Sequence, residues 1–436
     1  MRGLRFTCAC VVAGAVLVMP APLWAQTDAQ ALRQEIDQLR KELDALQKQY
    51  GDRLSALEAR LDAAQQPAAP AAAEAPPPST QVTAQVPPGA EGAGGPSGTL
   101  PVYSAAGSSK IFNPDIAVIG DFLGAAGSND VNPSPALAMH ESEASFQAIV
   151  DPYARADFFL SFGEEGVDLE EGFITFPAIP GGLLVKVGKM RAAFGKVNTM
   201  HNHVLPWTDR PLVTTNLVAG DEGLSDAGIS VARLVPNPWI FLEATGQVFR
   251  GDSGDVFQSS EPSDLSYVGH LRGYHDITEN TNIDLGASYS YGHNASGVFG
   301  DVDLGRFTTQ LYGIDATLRW RPLQRSIYHS FVGRSELVWS RREQPGSQQN
   351  AFGYFVSGDY QLARRWYAGA RYDRSAHAVD QTLHDTGGSL LLTFVPSEFS
   401  QVRGQYRRID YATGDPANEF LFQFQFSIGA HGAHPY

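Results

Sequence analysis

The segment 419–428, near the end of the chain, alternates between apolar and polar side chains. Its apolar parity consists of Phe420, Phe422, Phe424, Phe426 and Ile428, and the other parity is polar except at Leu421. Because successive side chains of a strand point to opposite faces, this segment predicts a strand with one apolar and one polar face. An open edge strand of this kind would invite aggregation in water, whereas a closed barrel in lipid has no edge and turns its apolar side outward.

The chain after about residue 114 repeats this alternation in about sixteen strand-like runs, a number within the range of outer-membrane barrels. Short breaks such as 151–152, 278–281 and 321–325 alternate with longer polar breaks. The predicted long breaks are 125–138, 196–226, 251–264, 293–305, 342–349, 375–385 and 412–418. Antiparallel strands joined by periplasmic turns and external loops produce this alternation. The predicted fold class is therefore all-β, a transmembrane antiparallel β-barrel of about 16 strands within residues 101–436.

The first 25 residues have the features of a secretory signal peptide. Arg2 and Arg5 precede an apolar stretch, and small residues precede Gln26. Cys8 and Cys10 are the two cysteines of the chain, and both lie in this segment. The mature protein is therefore expected to have neither disulfides nor thiolate metal sites.

Residues 26–66 carry apolar positions at heptad spacing, from Leu32 through Leu46, with charged residues between them. This pattern predicts a short periplasmic α-helical coiled coil, because a single amphipathic helix would leave the apolar seam in water. The residue types do not decide between a coiled coil of two helices and one of three. Residues 67–100 are rich in Pro, Ala and Gly and nearly free of charge, which predicts a disordered linker.

The composition and the motifs exclude several classes of function. The formal net charge of −15 argues against nucleic acid as a partner. After the signal peptide the sequence contains no apolar run long enough for a transmembrane helix. It also lacks the Gly-x-Ser-x-Gly, glycine-rich phosphate-loop and HExxH motifs. We therefore expect a protein that is not an enzyme and needs no cofactor.

Charged residues of both signs share the parity opposite the apolar face in many of the predicted strands. Such a mixture is costly in lipid or in a dry core but ordinary beside water, so it predicts a polar, wet interior. The predicted pore-lining charges are Glu141, Glu143, Arg155, Asp157, Glu171, Lys186, Glu243, Arg272, Asp315, Arg319, Arg334, Glu336, Arg371, Asp373, Arg403 and Arg407. Two inward glutamates such as Glu141 and Glu143 are interpreted as a bias on cation passage, not as an acid–base pair.

Two segments resemble known porins. Residues 184–194, LVKVGKMRAAF, resemble a strand of the phosphate-selective O/P-type porins, in which a Gly-Lys pair precedes a basic and aromatic stretch. Residues 113–120, NPDIAVIG, resemble the first strand of a related bacterial porin group. The resemblance implies a trimeric, sixteen-stranded diffusion channel whose third loop folds into the lumen. A coiled coil ahead of the barrel also occurs among trimeric porins of this kind.

The break 196–226 is the longest of the predicted loops and the third external one. As an inward loop it would act as a constriction, with His201, His203, Asp209, Arg210, Asp221 and Glu222 as its candidate residues. Its carboxylates would oppose basic wall residues such as Arg155, Lys186 or Arg334 and create a transverse field. The alternative is a solvated external cap. His201 and His203 with Asp209 are donors that a metal could use, but the spacing is little evidence and no metal is predicted.

Together these patterns predict a porin for passive diffusion of small hydrophilic solutes or ions, with selectivity set by lumenal charges and the third loop. It would be a homotrimer in contact with lipid and lipopolysaccharide of a Gram-negative outer membrane, with its N-terminal region in the periplasm. The alternative is an envelope tether or binding protein, anchored by the barrel, whose coiled coil engages a periplasmic partner.

Overall fold

A computed structural model describes residues 115–163, 166–299, 302–303 and 306–429, and gives backbone alone for 296, 298–299 and 302–303. The described residues belong to one compact unit. The predicted signal peptide, coiled coil and linker lie outside the described residues and stay predictions. No helix in the described part of the chain is long and apolar enough to cross a membrane.

Sixteen antiparallel strands close into one barrel, and two short strands, β10 and β11, form a separate two-stranded sheet. Barrel strands adjacent in sequence pair with each other, β9 pairs with β12, and β1 closes the barrel against β18. The strands are β1 (Asp115–Ser128), β2 (Leu137–Asp151), β3 (Ala154–Gly163), β4 (Gly166–Ile179), β5 (Leu183–Arg191), β6 (Ser225–Leu234), β7 (Phe241–Phe249), β8 (Ser266–Thr278), β9 (Thr281–Asn294), β10 (Val298–Phe299), β11 (Val302–Asp303), β12 (Phe307–Trp320), β13 (Phe331–Gln344), β14 (Ser347–Ala363), β15 (Trp366–Ala376), β16 (His384–Ser397), β17 (Ser400–Asp410) and β18 (Ala417–Gly429). The predicted all-β barrel of about 16 strands is confirmed.

Within residues 115–429, as far as they are described, helical structure is confined to the connections between strands. The described α-helix, α1, comprises Leu212–Leu217. Short 3-10 turns occur at Val197–Thr199, Asn202–Val204, Ala295–Gly297 and Leu323–Arg325. Two of these turns and α1 lie in the connection between β5 and β6, so this connection has more internal structure than the others described.

The last strand shows the alternation that the sequence predicts. Phe420, Phe422 and Phe424 are exposed on the outer side of the barrel, whereas Gln423 and Gln425 are buried inside it. Leu421, the one apolar residue of the polar parity, is also buried. The same pattern recurs in β12, where exposed and buried positions alternate from Leu311 through Leu318. The barrel therefore has an apolar outer face and a largely polar inner face.

Two of the predicted loop lengths are wrong. The predicted long break 342–349 is a two-residue turn, because β13 ends at Gln344 and β14 begins at Ser347, with Gly346 at a φ of 71°. Polar residues continue both strands beyond the apolar zone, and backbone pairing does not end where side chains become hydrophilic. Conversely, the predicted short break 321–325 extends from 321 to 330 and contains a 3-10 turn.

Candidate pore constriction

The connection 192–224 between β5 and β6, here called the lumenal loop, begins and ends at one closely bonded base. Ala192 N donates to Leu224 O at 2.8 Å. The buried Asn198 side chain donates to the carbonyl oxygens of Ala192 and Leu224, and its Oδ1 accepts from Leu224 N at 2.7 Å. One amide side chain thus holds both ends of the loop together.

Apolar side chains of the lumenal loop form a dry core inside the barrel. Phe194, Trp207 and Val213 are at most 1% exposed and belong to the same cluster as the wall residues Phe355 and Val338. The rings of Trp207 and Phe355 meet edge to face, with centroids 5.1 Å apart. The predicted wet interior is therefore incomplete: the loop fills part of the lumen with packed apolar groups, and the alternative of a solvated external cap is wrong.

Polar contacts attach the loop to strands around the barrel. Hydrogen bonds join it to β2, β4, β7, β9, β13, β15, β16, β17 and β18. On one side Gln247 Oε1 accepts from Ala193 N, and on another Asp385 accepts from Asn216 at 2.9 Å. A segment with partners on so many strands crosses the lumen and is fixed at both sides of it.

One of these attachments is centred on Asp209. Its carboxylate accepts from Arg371 at 2.9 Å and from Arg407 at 3.1 Å, and Gln405 donates to it as well. Arg371 also donates to Asp209 O, pairs with Asp373 and lies over the Trp207 ring. Burial raises the pKa of Asp209, but Arg371 and Arg407 outweigh burial and lower this pKa to about 2. We call this group the Asp209 anchor.

A second attachment, the Glu–His cluster, joins the loop to β2 and β4. It consists of Glu141, Glu143, Glu170, Glu171, His201 and His203. His201 Nδ1 lies 2.7 Å from Glu143 and 3.1 Å from Glu170, and its Nε2 lies 2.8 Å from Glu171. Burial lowers the pKa of His201, but the surrounding glutamates outweigh burial and hold it well above its ordinary value.

A β-bulge places Glu170 in this cluster. Glu171 pairs with Phe159 while Leu169 pairs with Leu160, so Glu170 is an extra residue in β4. A bulge breaks the two-residue period, which lets Glu170 and Glu171 point to the same side. A second irregularity lies at His140 in β2, next to Glu141. Of these two neighbouring glutamates, strand parity predicted that Glu171 alone faces the lumen. No feature of the sequence predicted the bulge.

The loop charges do not oppose the wall charges in the way that was predicted. Asp209 pairs with Arg371 and Arg407, and Asp221 and Glu222 are exposed. Arg210 is buried and donates within the loop, to Asn202 and to the carbonyl oxygens of Val197 and Met200. The carboxylates beside His201 and His203 are therefore those of the wall and not Asp209.

The sixteen predicted pore-lining residues are all buried or half-buried. The structure brings several of them to the loop: Glu141, Glu143, Glu171, Glu336, Arg371, Asp373, Arg403 and Arg407. Glu336 lies opposite Asp315 in the β12–β13 register and accepts from Val197 N at 3.3 Å.

The remaining predicted wall charges form a group nearer the short connections, here called the lumenal belt. It contains Arg155, Asp157, Lys186, Glu243, Arg272, Asp315, Arg319 and Arg334, joined by Asp284, Asp359 and the loop residue Lys196. Asp284 is buried and lies within 2.8 Å of both Arg272 and Lys196 and 3.9 Å from Arg319. Arg272 and Arg319 keep 30% and 31% of their side chains exposed, so basic groups dominate the water-facing surface around this carboxylate.

Comparison with known proteins supports the fold. No family model matches the chain. An uncharacterized protein of Aquifex aeolicus (strain VF5) is 28% identical over 389 residues, covering 76% of this chain and 81% of that protein. The anion-selective porin from Comamonas acidovorans superposes with a TM-score of 0.51 at 11% identity, covering 72% of this chain and 99% of that one.

OprB of Pseudomonas putida, in its high-pH structure, superposes with a TM-score of 0.50 at 11% identity, covering 72% of this chain and 94% of that one. At these identities the likeness concerns the fold. The chain thus has a closed sixteen-stranded barrel with a loop across its lumen, a fold similar to that of these two proteins.

Proposed function

We propose that this protein is an outer-membrane channel for passive diffusion of small hydrophilic solutes or ions, with the lumenal loop as its constriction. The observation that carries the proposal is the loop itself, which crosses the interior of a closed barrel and is attached to strands on all sides. An apolar outer face suits lipid, and charged groups on the inner face suit a water-filled path.

The proposed setting follows from the same barrel. Its outer face would contact lipid and lipopolysaccharide of a Gram-negative outer membrane, with the N-terminal region in the periplasm. A homotrimer held partly by the predicted coiled coil fits the sequence resemblance to phosphate-selective O/P-type porins. The rival function is an envelope tether that uses the barrel as an anchor.

Planar-bilayer recording with the purified chain tests the channel. Discrete current steps, grouped in threes for a trimer, are expected, because each barrel would offer one water-filled path. A barrel that inserts into the bilayer, as shown by protease protection, and yet gives no current steps would contradict the channel and favour the tether.

The lumenal belt is proposed to set ion preference. Arg272 and Arg319 are partly exposed to the lumen, whereas the paired carboxylates Asp157 and Asp284 are buried. Fixed charge beside a narrow aqueous path favours passage of the opposite sign. The belt would therefore favour anions at the end of the lumen near the short connections.

The Arg319→Gln variant tests the belt. Removing this partly exposed charge is expected to move the reversal potential in a KCl gradient toward cation preference. The control is Arg408→Gln, because Arg408 is 52% exposed and pairs with Asp410 on the outer parity of β17. Equal reversal potentials for Arg319→Gln and Arg408→Gln would show that the lumenal belt does not set ion selectivity.

A further inference from the structure

The Glu–His cluster has more negative than positive groups. Arg191 forms an ion pair with Glu170 at 2.7 Å, and both side chains are at most 5% exposed. Glu141 and Glu143 lie beside them with side chains 8% and 3% exposed. Buried carboxylates in excess of cations are costly unless protons or a metal ion balance them. The cluster is thus a place where a cation would be stabilised.

Several polar atoms of the cluster are left without hydrogen bonds. Within the described part of the chain, no partner of acceptable geometry exists for Glu141 Oε1, Glu143 Oε2, His201 Nδ1 or His203 Nδ1. His203 is 5% exposed, and its Nδ1 lies 3.6 Å from Glu143 and 3.9 Å from Glu141. Buried polar atoms normally have partners, so four such atoms within one cluster, three of them on residues whose donor atoms lie within 4.8 Å of one another, indicate a missing ligand.

These atoms match a metal site in number and spacing. Donor atoms of Glu143, His201 and His203 all lie within 4.8 Å of one another, as do those of Glu141, Glu143 and Glu170. We propose that Glu143, His201 and His203 bind a divalent transition-metal ion, with Glu141 or Glu170 as the fourth ligand. Two imidazoles with carboxylates form a donor set that suits zinc, whereas calcium and magnesium prefer oxygen alone.

Glu171 supports this arrangement from outside the ligand set. Its carboxylate lies 2.8 Å from His201 Nε2 and also accepts from Arg191 N at 2.8 Å. Metal-binding histidines typically donate their second ring N–H to a carboxylate, which fixes the ring and its tautomer. With Nε2 held by Glu171, His201 Nδ1 is directed at Glu143 and Glu170.

The ion would connect three parts of the chain. Glu143 belongs to β2, Glu170 to β4, and both histidines to the lumenal loop. Metal binding would therefore fasten the loop to β2 and β4, as the Asp209 anchor fastens it to β15 and β17. This inference does not depend on the proposed channel function, because it concerns binding of the ion alone.

Zinc titration of the full, untagged chain in detergent tests the site. After removal of metals with a chelator, the protein is titrated with Zn²⁺ in competition with a chromophoric chelator. One tightly bound ion per chain is expected. Glu171→Gln should weaken binding about 10–100-fold, the usual effect of removing the partner of a metal-bound histidine. Glu143→Gln and His203→Gln should weaken binding at least as much.

His377→Gln is the matched control, since His377 lies 2.9 Å from the buried Asp385 but outside the cluster. It should bind Zn²⁺ like the original chain. Co²⁺ provides a second readout, because its visible d–d absorption reports nitrogen and oxygen ligands in a folded site and should be lost in His203→Gln. Unaltered zinc affinity in the double variant His201→Gln/His203→Gln, absence of zinc binding by the original chain, or a preference for Ca²⁺ or Mg²⁺ over Zn²⁺ would overturn the proposal.

Discussion

Replacing residues 197–221 by a short glycine–serine connection is expected to raise single-channel conductance severalfold. The lumenal loop contributes Trp207, Val213 and Leu217 to a packed core inside the barrel. Removal of the loop would let water fill the part of the lumen that this core occupies. Pore width governs ion flow through such a channel, so the wider lumen should carry more current at the same voltage.

Planar-bilayer recording measures this effect, after heat-modifiable gel mobility has shown that the shortened chain still forms a barrel. The control shortens the connection 377–383 between β15 and β16, which holds the exposed Val379. Its conductance should stay near that of the original chain. If removing the loop left the current steps unchanged, the loop would not be the constriction.

Arg371→Met is expected to lower the free energy of unfolding by about 3–5 kcal/mol. The side chain of Arg371 is 2% exposed and compensates Asp209 and Asp373, while it also packs on the Trp207 ring. Methionine keeps much of the side-chain volume but removes the positive charge that neutralises the buried carboxylates of Asp209 and Asp373. Loss of one partner from a buried ion pair is far more costly than loss of one on the surface.

The chain offers a matched control for this variant. Arg408 and Asp410 form an Arg–Asp pair two residues apart on β17, as Arg371 and Asp373 do on β15, but both members are more than half exposed. Arg408→Met should therefore change the free energy of unfolding by about 0–1 kcal/mol. Urea unfolding in detergent micelles gives both values, and similar losses for the two variants would show that the Asp209 anchor contributes little.

The β-barrel fold could be predicted because the alternation that indicates it is visible within each single strand. Lipid on one side and water on the other impose a two-residue period that a short run such as 419–428 displays without reference to the rest of the chain. Turn positions were less predictable, as the error at 342–349 shows. Backbone pairing from Arg341 to Asn350 continues through polar residues, so polarity marks the edge of the apolar zone and not the end of a strand.

The site was predictable only in part. The length of the connection between β5 and β6 marked it as a candidate constriction, but its partners depend on contacts distant in sequence. Glu170 reached the cluster through a bulge, which parity counting cannot detect. The apolar content of the loop was a usable signal, since Trp207, Leu212 and Leu217 would be costly in a solvated cap.

The position of His203 has a consequence for assembly of the barrel. Its carbonyl oxygen accepts from Gln425 of β18, while its ring faces Glu143 of β2, and β1 lies between these two strands. One residue thus spans the place where the first and last strands meet. The pairing of the first and last barrel strands is thus reinforced from inside the barrel, and we expect seating of the loop and closure of the barrel to be coupled during folding.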